Sequence, residues 1–217
     1  MAAARFRPPL QVRSRATLDR LLAAAVELLT ERRFEEAPVA EIARRARSSV
    51  GAFYARFTDK HALLAFLNTR LFEQGRAAWE EFLAPQRWEG RPTAEVLEAV
   101  VRVMVRKRRA HRGLLRALAL YARSHPSAAF AEHASALNRH VHARLRELLL
   151  SRKREIAHRD PTQAIAFGLL LVDAATREAI LFGEAGLLPH RISDARLIEE
   201  LTEAWLAYLG LERRRRS

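Results

Sequence analysis

Cysteine is absent from this 217-residue chain, and its absence removes disulfide frameworks, thiolate metal sites and cysteine nucleophiles together. Lysine is scarce: Lys60, Lys107 and Lys153 are the only lysines among 38 Lys and Arg residues. Aromatic residues make up 7% of the chain, strand-like alternation is missing, and no internal repeat occurs. No run approaches the roughly 18 to 20 apolar residues of a membrane span. The segment Met1 to Pro9 lacks the apolar stretch of a secretory signal, which predicts a cytoplasmic protein without membrane contact. Catalytic signatures are missing too: there is no Gly-rich phosphate loop and no Gly-x-Ser-x-Gly elbow. The eight histidines are scattered, and His133, His140 and His142 form neither an i, i+4 pair nor a set with paired carboxylates. The expectation is therefore no metal, no cofactor and no enzyme.

What is present is helical periodicity and a formal charge of +13. The charge is uneven. Residues 1–60 hold 12 basic and 7 acidic residues, whereas residues 100–159 hold 15 basic and 3 acidic. The run Arg106-Lys-Arg-Arg-Ala-His-Arg112 reads either as long-range attraction for phosphate or as a consequence of arginine-rich composition. Arg5, Arg7 and Arg13 mark residues 1–13 as a flexible basic arm, and residues 211–217 close the chain as a basic tail.

The first helical pattern runs from about Arg15 to Arg32, with Leu18, Leu21, Leu22, Ala25, Leu28 and Leu29 on one face. A second puts Val39, Ile42, Ala43 and Ala46 inward at i, i+3, i+4, i+7. Ser48 and Ser49 follow as a turn whose hydroxyl can cap the next helix. In that helix Phe53 and Phe57 face the core, while Val50, Gly51, Ala52, Tyr54 and Ala55 face outward. Two short helices joined by a tight polar turn make a helix-turn-helix, and small outward residues let the second helix sink into a groove.

Ile42, Ala43, Ala46, Ser49, Gly51, Tyr54, Phe57, Lys60 and Leu63 occur at the spacing of the TetR family of transcriptional regulators, which residues 14 to 64 resemble. Five positions depart from its pattern: Arg47-Ser48 in the turn where Gly-Val is usual, Arg33 for a Gly before Phe34, and Ala37-Pro38 for hydroxyl residues. The resemblance implies an all-α protein, with a helix-turn-helix DNA-binding domain over 14–60 and a helical ligand-binding and dimerisation domain over 61–210. It also implies that Tyr54 and Lys60 touch DNA phosphates and that Val50, Gly51 and Ala52 face bases, with Ser49 at the helix start. Because these base-facing residues are small or apolar, discrimination is left to thymine methyl groups, Arg47 or Arg56, and DNA shape.

Beyond residue 60 the pattern predicts helices from about Lys60 through Phe82, 93–109, 111–124, Pro126 to Arg152, 162–182 and 193–209. The stretch Ala164 to Val172 is apolar nearly all round, so it is buried on more than one side. With the stripe Leu197, Leu201, Trp205, Tyr208 it is the expected homodimer interface, as the resemblance implies for the last two helices; the sequence alone also permits a buried intradomain helix. Candidate walls for a small-molecule effector are Trp79, Phe82, Met104, Tyr121, Phe130 and Phe167. Asp173 and Arg177 are a polar i, i+4 pair that satisfies itself, a partner subunit or a ligand. The resulting expectation is a homodimer on a pseudo-palindromic double-stranded operator, most simply a repressor released by a small apolar effector. The rivals are a DNA-binding architectural protein without effector control and a helical small-molecule enzyme.

Overall fold

The computed structural model describes residues 12–183 and 192–211. Residues 1–11 of the expected arm and 212–217 of the tail lie outside them. Among the described residues there are nine α-helices and no strand: α1 (Val12–Glu31), α2 (Val39–Arg45), α3 (Val50–Tyr54), α4 (Lys60–Phe82), α5 (Thr93–Ala110), α6 (Arg112–Ser124), α7 (Ala128–Leu150), α8 (Pro161–Arg177) and α9 (Asp194–Leu209). Short 3₁₀ turns fill Pro85–Trp88 and Lys153–Glu155, and a π-turn, Glu178–Phe182, prolongs α8. Helix α1 begins three residues before Arg15, so Val12 and Arg13 belong to it and not to an arm. No helix among the described residues is long and apolar enough to cross a membrane.

Helix starts follow their caps. Ser49 Oγ accepts from the Ala52 amide at 3.0 Å and opens α3. Asp59 accepts from Ala62 at 2.8 Å for α4, Asp160 from Gln163 at 3.0 Å for α8, and Ser193 from Arg196 at 3.2 Å for α9. Each such cap contributes about 1 kcal/mol. At the other end of α9 Gly210 takes a left-handed φ of 69°, the conformation glycine adopts without cost.

The chain divides into two compact units that interleave: residues 1–74 with 113–135, and 75–112 with 136–217. The division is not a single point near residue 60. In the first unit Leu21, Leu28, Phe53, Phe57, Leu63 and Leu64 form a core with Leu114, Ala117 and Leu118 of α6. Periodicity shows that α6 has an apolar face but not what that face meets. The meeting is close. A Cβ on Gly113 would lie 2.5 Å from the Leu29 carbonyl oxygen, so the first turn of α6 lies against the backbone of α1 only because residue 113 has no side chain.

In the second unit Val96, Leu97, Val100, Val101 and Val105 of α5 are fully buried, as are Ala164, Ile165 and Val172 of α8 and Trp205 and Leu209 of α9. Leu197 and Leu201 are 5% and 7% exposed and Trp205 is 0% exposed. Three of the four residues expected to face a partner subunit are therefore core of their own chain. The 3.6-residue period identifies a buried stripe without telling intrachain from intersubunit burial.

Candidate nucleic-acid interface

The reading elements stand on a small aromatic base. Phe53 and Phe57 are both fully buried, with ring centroids 5.5 Å apart, and burying two such rings stabilises by roughly 3–6 kcal/mol in all. That burial aims the opposite face of α3 outward: Val50 is 41% and Tyr54 53% exposed, Gly51 is exposed and Ala52 half-buried. Tyr54 rests edge-on against Phe53 with ring centroids 5.4 Å apart.

Helix α2 ends in a Schellman motif. Ser48 N–H donates to Ala43 O at 2.9 Å and Arg47 N–H to Arg44 O at 3.1 Å. The residue this motif needs in the left-handed region is Arg47, at φ 49°, the only non-glycine with positive φ among the described residues. A side chain there costs about 1–2 kcal/mol that glycine does not incur. Arg47→Gly should therefore be more stable than Arg47→Ala by about 1 kcal/mol, because alanine keeps the backbone strain and glycine removes it. Equal denaturant midpoints for the two variants would contradict the strain. The other departures from the family pattern are cheaper. Arg33 has no positive φ, and Pro38 starts α2 without a side-chain cap.

Most cations of this region are already spent within the chain. Arg44 donates to Glu41 at 2.6 and 2.9 Å, and Arg45 bridges Glu31 and Glu41. These bonds, first from Arg44 and then from Arg45, pull the Glu41 carboxyl down to about 2. Arg20 Nε donates to the Ala46 carbonyl at 3.1 Å, capping α2 from α1. Arg56 folds back onto the Ala52 carbonyl at 2.6 Å. Lys60 Nζ donates to the carbonyls of Phe34 and Glu35 at 3.2 and 2.8 Å and lies 4.9 Å above the Phe34 ring. The lysine thus ties the α1–α2 loop to the start of α4. Arg47 is exposed and has no side-chain partner among the described residues.

The eight candidate effector contacts divide between the two units. Tyr121 and Phe130 belong to the first unit: their rings are 4.9 Å apart, and Tyr121 also meets Phe34, His61 and His125. In the second unit Trp79, Phe82 and Trp88 form an edge-to-face chain, with the Trp88 indole donating to the Phe82 carbonyl at 2.7 Å. Met104 is 9% exposed in the core, whereas Phe167 is 44% exposed. Open grooves of about 990 and 470 Å³ in the second unit are lined by none of the eight.

Asp173 does have a partner, but chiefly not Arg177, whose guanidinium is 3.8 Å away. Its main partner is Arg108 of α5, which also donates to the buried Thr176 hydroxyl. Sequence spacing could not reveal this pair, since 65 positions separate its members. Arg109 is likewise paired, with Asp194, and burial followed by the Lys107 charge pushes the His111 imidazole down. Of the basic run, two arginines therefore serve the helix packing of their own unit. No cluster of three metal-binding side chains occurs among the described residues.

Residues 21–66 match the family of bacterial regulatory proteins, tetR family. No curated protein matches the chain. Solved structures share its fold. A protein described as a TetR-family transcriptional regulator from Mesorhizobium loti is 22% identical, with a TM-score of 0.68 over 91% of this chain and 98% of that one. A TetR-family regulator from Streptomyces coelicolor is 18% identical, with a TM-score of 0.67 over 93% and 82%. The fatty acid degradation regulator FadR of Bacillus halodurans is 17% identical, with a TM-score of 0.65 over 90% and 97%. Residues 21–66 therefore form a DNA-binding domain of the bacterial tetR regulatory family, carried in a chain whose fold is that of TetR-family structures.

Proposed function

We propose that the protein acts as a homodimeric repressor whose two α3 helices enter successive major grooves of a pseudo-palindromic operator, about one helical turn apart. The observation that carries this reading is α3 itself: a helix seated on the buried Phe53–Phe57 pair that presents only Val50, Gly51, Ala52 and Tyr54 to solvent. Such a surface allows close approach of helix backbone to base edges and contact with thymine methyl groups. Tyr54 and the N-terminal turn around Ser49 position the dimer on phosphates. Lys60 orders the same surface through its carbonyl contacts and has at most one donor left for DNA.

Dimerisation uses the outward face of α8 and α9. Phe167, Leu170 and Tyr208 are 44%, 60% and 38% exposed, and the Phe167 and Tyr208 rings lie 5.1 Å apart. An apolar patch of this kind on paired helices is the surface a second copy would cover. Release is by a small molecule binding in the second unit, whose core is aliphatic apart from Met104, Trp88 and Trp205 and whose Arg108–Asp173–Thr176 group is internally satisfied. An effector there is apolar, and it acts only if it prefers the conformer that binds the operator less well.

Selection of bound fragments from random-sequence DNA tests the reading. A two-fold symmetric consensus is expected, and Tyr54→Ala should weaken binding to that consensus and to random DNA by similar factors. Salt-dependent binding with no consensus would instead fit an architectural protein.

A further inference from the structure

We propose that Arg47 reads a guanine in the operator, supplying the hydrogen-bonded base recognition that the reading helix lacks. This rests on the regulator reading above. None of Val50, Gly51 and Ala52 can present a paired donor or acceptor to a base edge. Ser49, whose hydroxyl oxygen accepts from Ala52 N–H, keeps one O–H donor and so can offer a single contact but not a bidentate one. Arg56 is the only guanidinium on the following turn, and it is bent back onto the Ala52 carbonyl. Arg44, Arg45 and Lys60 are held by carboxylates or carbonyls of their own unit. Between Val39 and Lys60, Arg47 is therefore the one cation without a partner among the described residues.

Its place in the chain suits the task. Arg47 stands two residues before Ser49, the N-cap of α3, and the residues at the start of a reading helix are those that reach base edges in the major groove. The planar fork of a guanidinium matches the O6 and N7 acceptors of guanine, the commonest specific contact in that groove. The backbone supplies an independent argument. Arg47 occupies a left-handed C′ position at φ 49°, where glycine would sit unstrained. A long charged side chain kept at such a position against a backbone cost points to a use for that side chain outside the folded chain.

The test compares full-length wild type, Arg47→Gly and Arg47→Lys on the consensus selected from random DNA and on its single-base-pair variants. Glycine is the ordinary occupant of this backbone position, so the variant keeps the fold. Wild type should prefer a G·C pair at one symmetric position of each half-site by roughly 10- to 100-fold. Arg47→Gly should lose that preference while keeping the others, and Arg47→Lys should keep attraction but lose most of the discrimination. A uniform loss of affinity across all variants would make Arg47 a phosphate contact and overturn the proposal, as would unchanged selectivity in Arg47→Gly. If wild type selected no consensus at all, the regulator reading itself would fail, and the two failures are thereby told apart.

Discussion

Leu170→Glu should leave a folded monomer that binds the operator roughly 10²- to 10⁴-fold more weakly than wild type, the avidity that a second linked reading head supplies. Leu170 is 60% exposed in the isolated chain, so a glutamate there meets water and costs the fold almost nothing. In a dimer built on this face the same carboxylate would be buried against Phe167, Tyr208 and their copies, and an unpaired buried charge is among the most damaging changes an interface can receive. Sedimentation and operator binding on one preparation test both halves. The thermal midpoint of the variant should lie close to that of a dilute wild-type sample, because oligomer stability depends on concentration. A Leu170→Glu protein that remained dimeric and kept its operator affinity would show that subunits meet elsewhere.

Gly168→Ala should destabilise the second unit by about 3 kcal/mol, the upper end of the range for an overpacked core. The reason is local. A Cβ built on Gly168 falls 1.7 Å from Nε1 and 2.0 Å from Cδ1 of Trp205, and Trp205 is fully buried, so the indole cannot swing into solvent. Helices α8 and α9 touch at this point because one contributes no side chain and the other contributes the largest. The indole Nε1 has no hydrogen-bond partner there, so the ring is held by shape and not by a polar contact. For a chain of this size the loss corresponds to a melting temperature about 6–12 °C lower.

Trp205→Leu alone should also destabilise, by opening a cavity. The pair Gly168→Ala with Trp205→Leu should then be less damaging than the sum of the two, since each change accommodates the other. Simple additivity in that cycle, or a melting temperature for Gly168→Ala within a degree of wild type, would mean that the helices separate easily. The first outcome of Gly168→Ala to follow is the oligomeric state, because Phe167 and Leu170 flank Gly168 on the proposed dimer face and move with α8.

The helix-turn-helix was legible from the chain because each of its signals is local. Ser49 caps the helix that begins one residue later, and Phe53 and Phe57 lie one helical turn apart. The same locality placed the starts of α4, α5, α8 and α9 within about two residues. Local patterns carry no information about contacts between residues far apart in the chain. The i, i+4 spacing of Asp173 and Arg177 is realised as an ion pair at 3.8 Å, but it does not reveal the closer partner Arg108, brought beside Asp173 by the packing of α5 on α8. The eight residues named as effector contacts are divided between the two units, which spacing along the chain does not show. Tyr121 and Phe130 lie with His61 and Phe34 in the first unit, and Trp79 and Phe82 pack around Trp88 in the second.

By itself the sequence determined the all-helical class, the register of the reading helix and the exposure of Val50, Gly51 and Tyr54, because helical period and capping act over a few residues and need no distant partner. Only the tertiary structure decided that α6 completes the core of the DNA-binding unit, that Trp205 turns inward onto Gly168 instead of toward a partner, and that Arg47 has no side-chain partner among the described residues while its neighbouring cations are taken. An apolar stripe or an arginine announces that it will be satisfied. What satisfies it depends on which surfaces the folded chain brings within contact distance, and that is a property of packing over the whole unit.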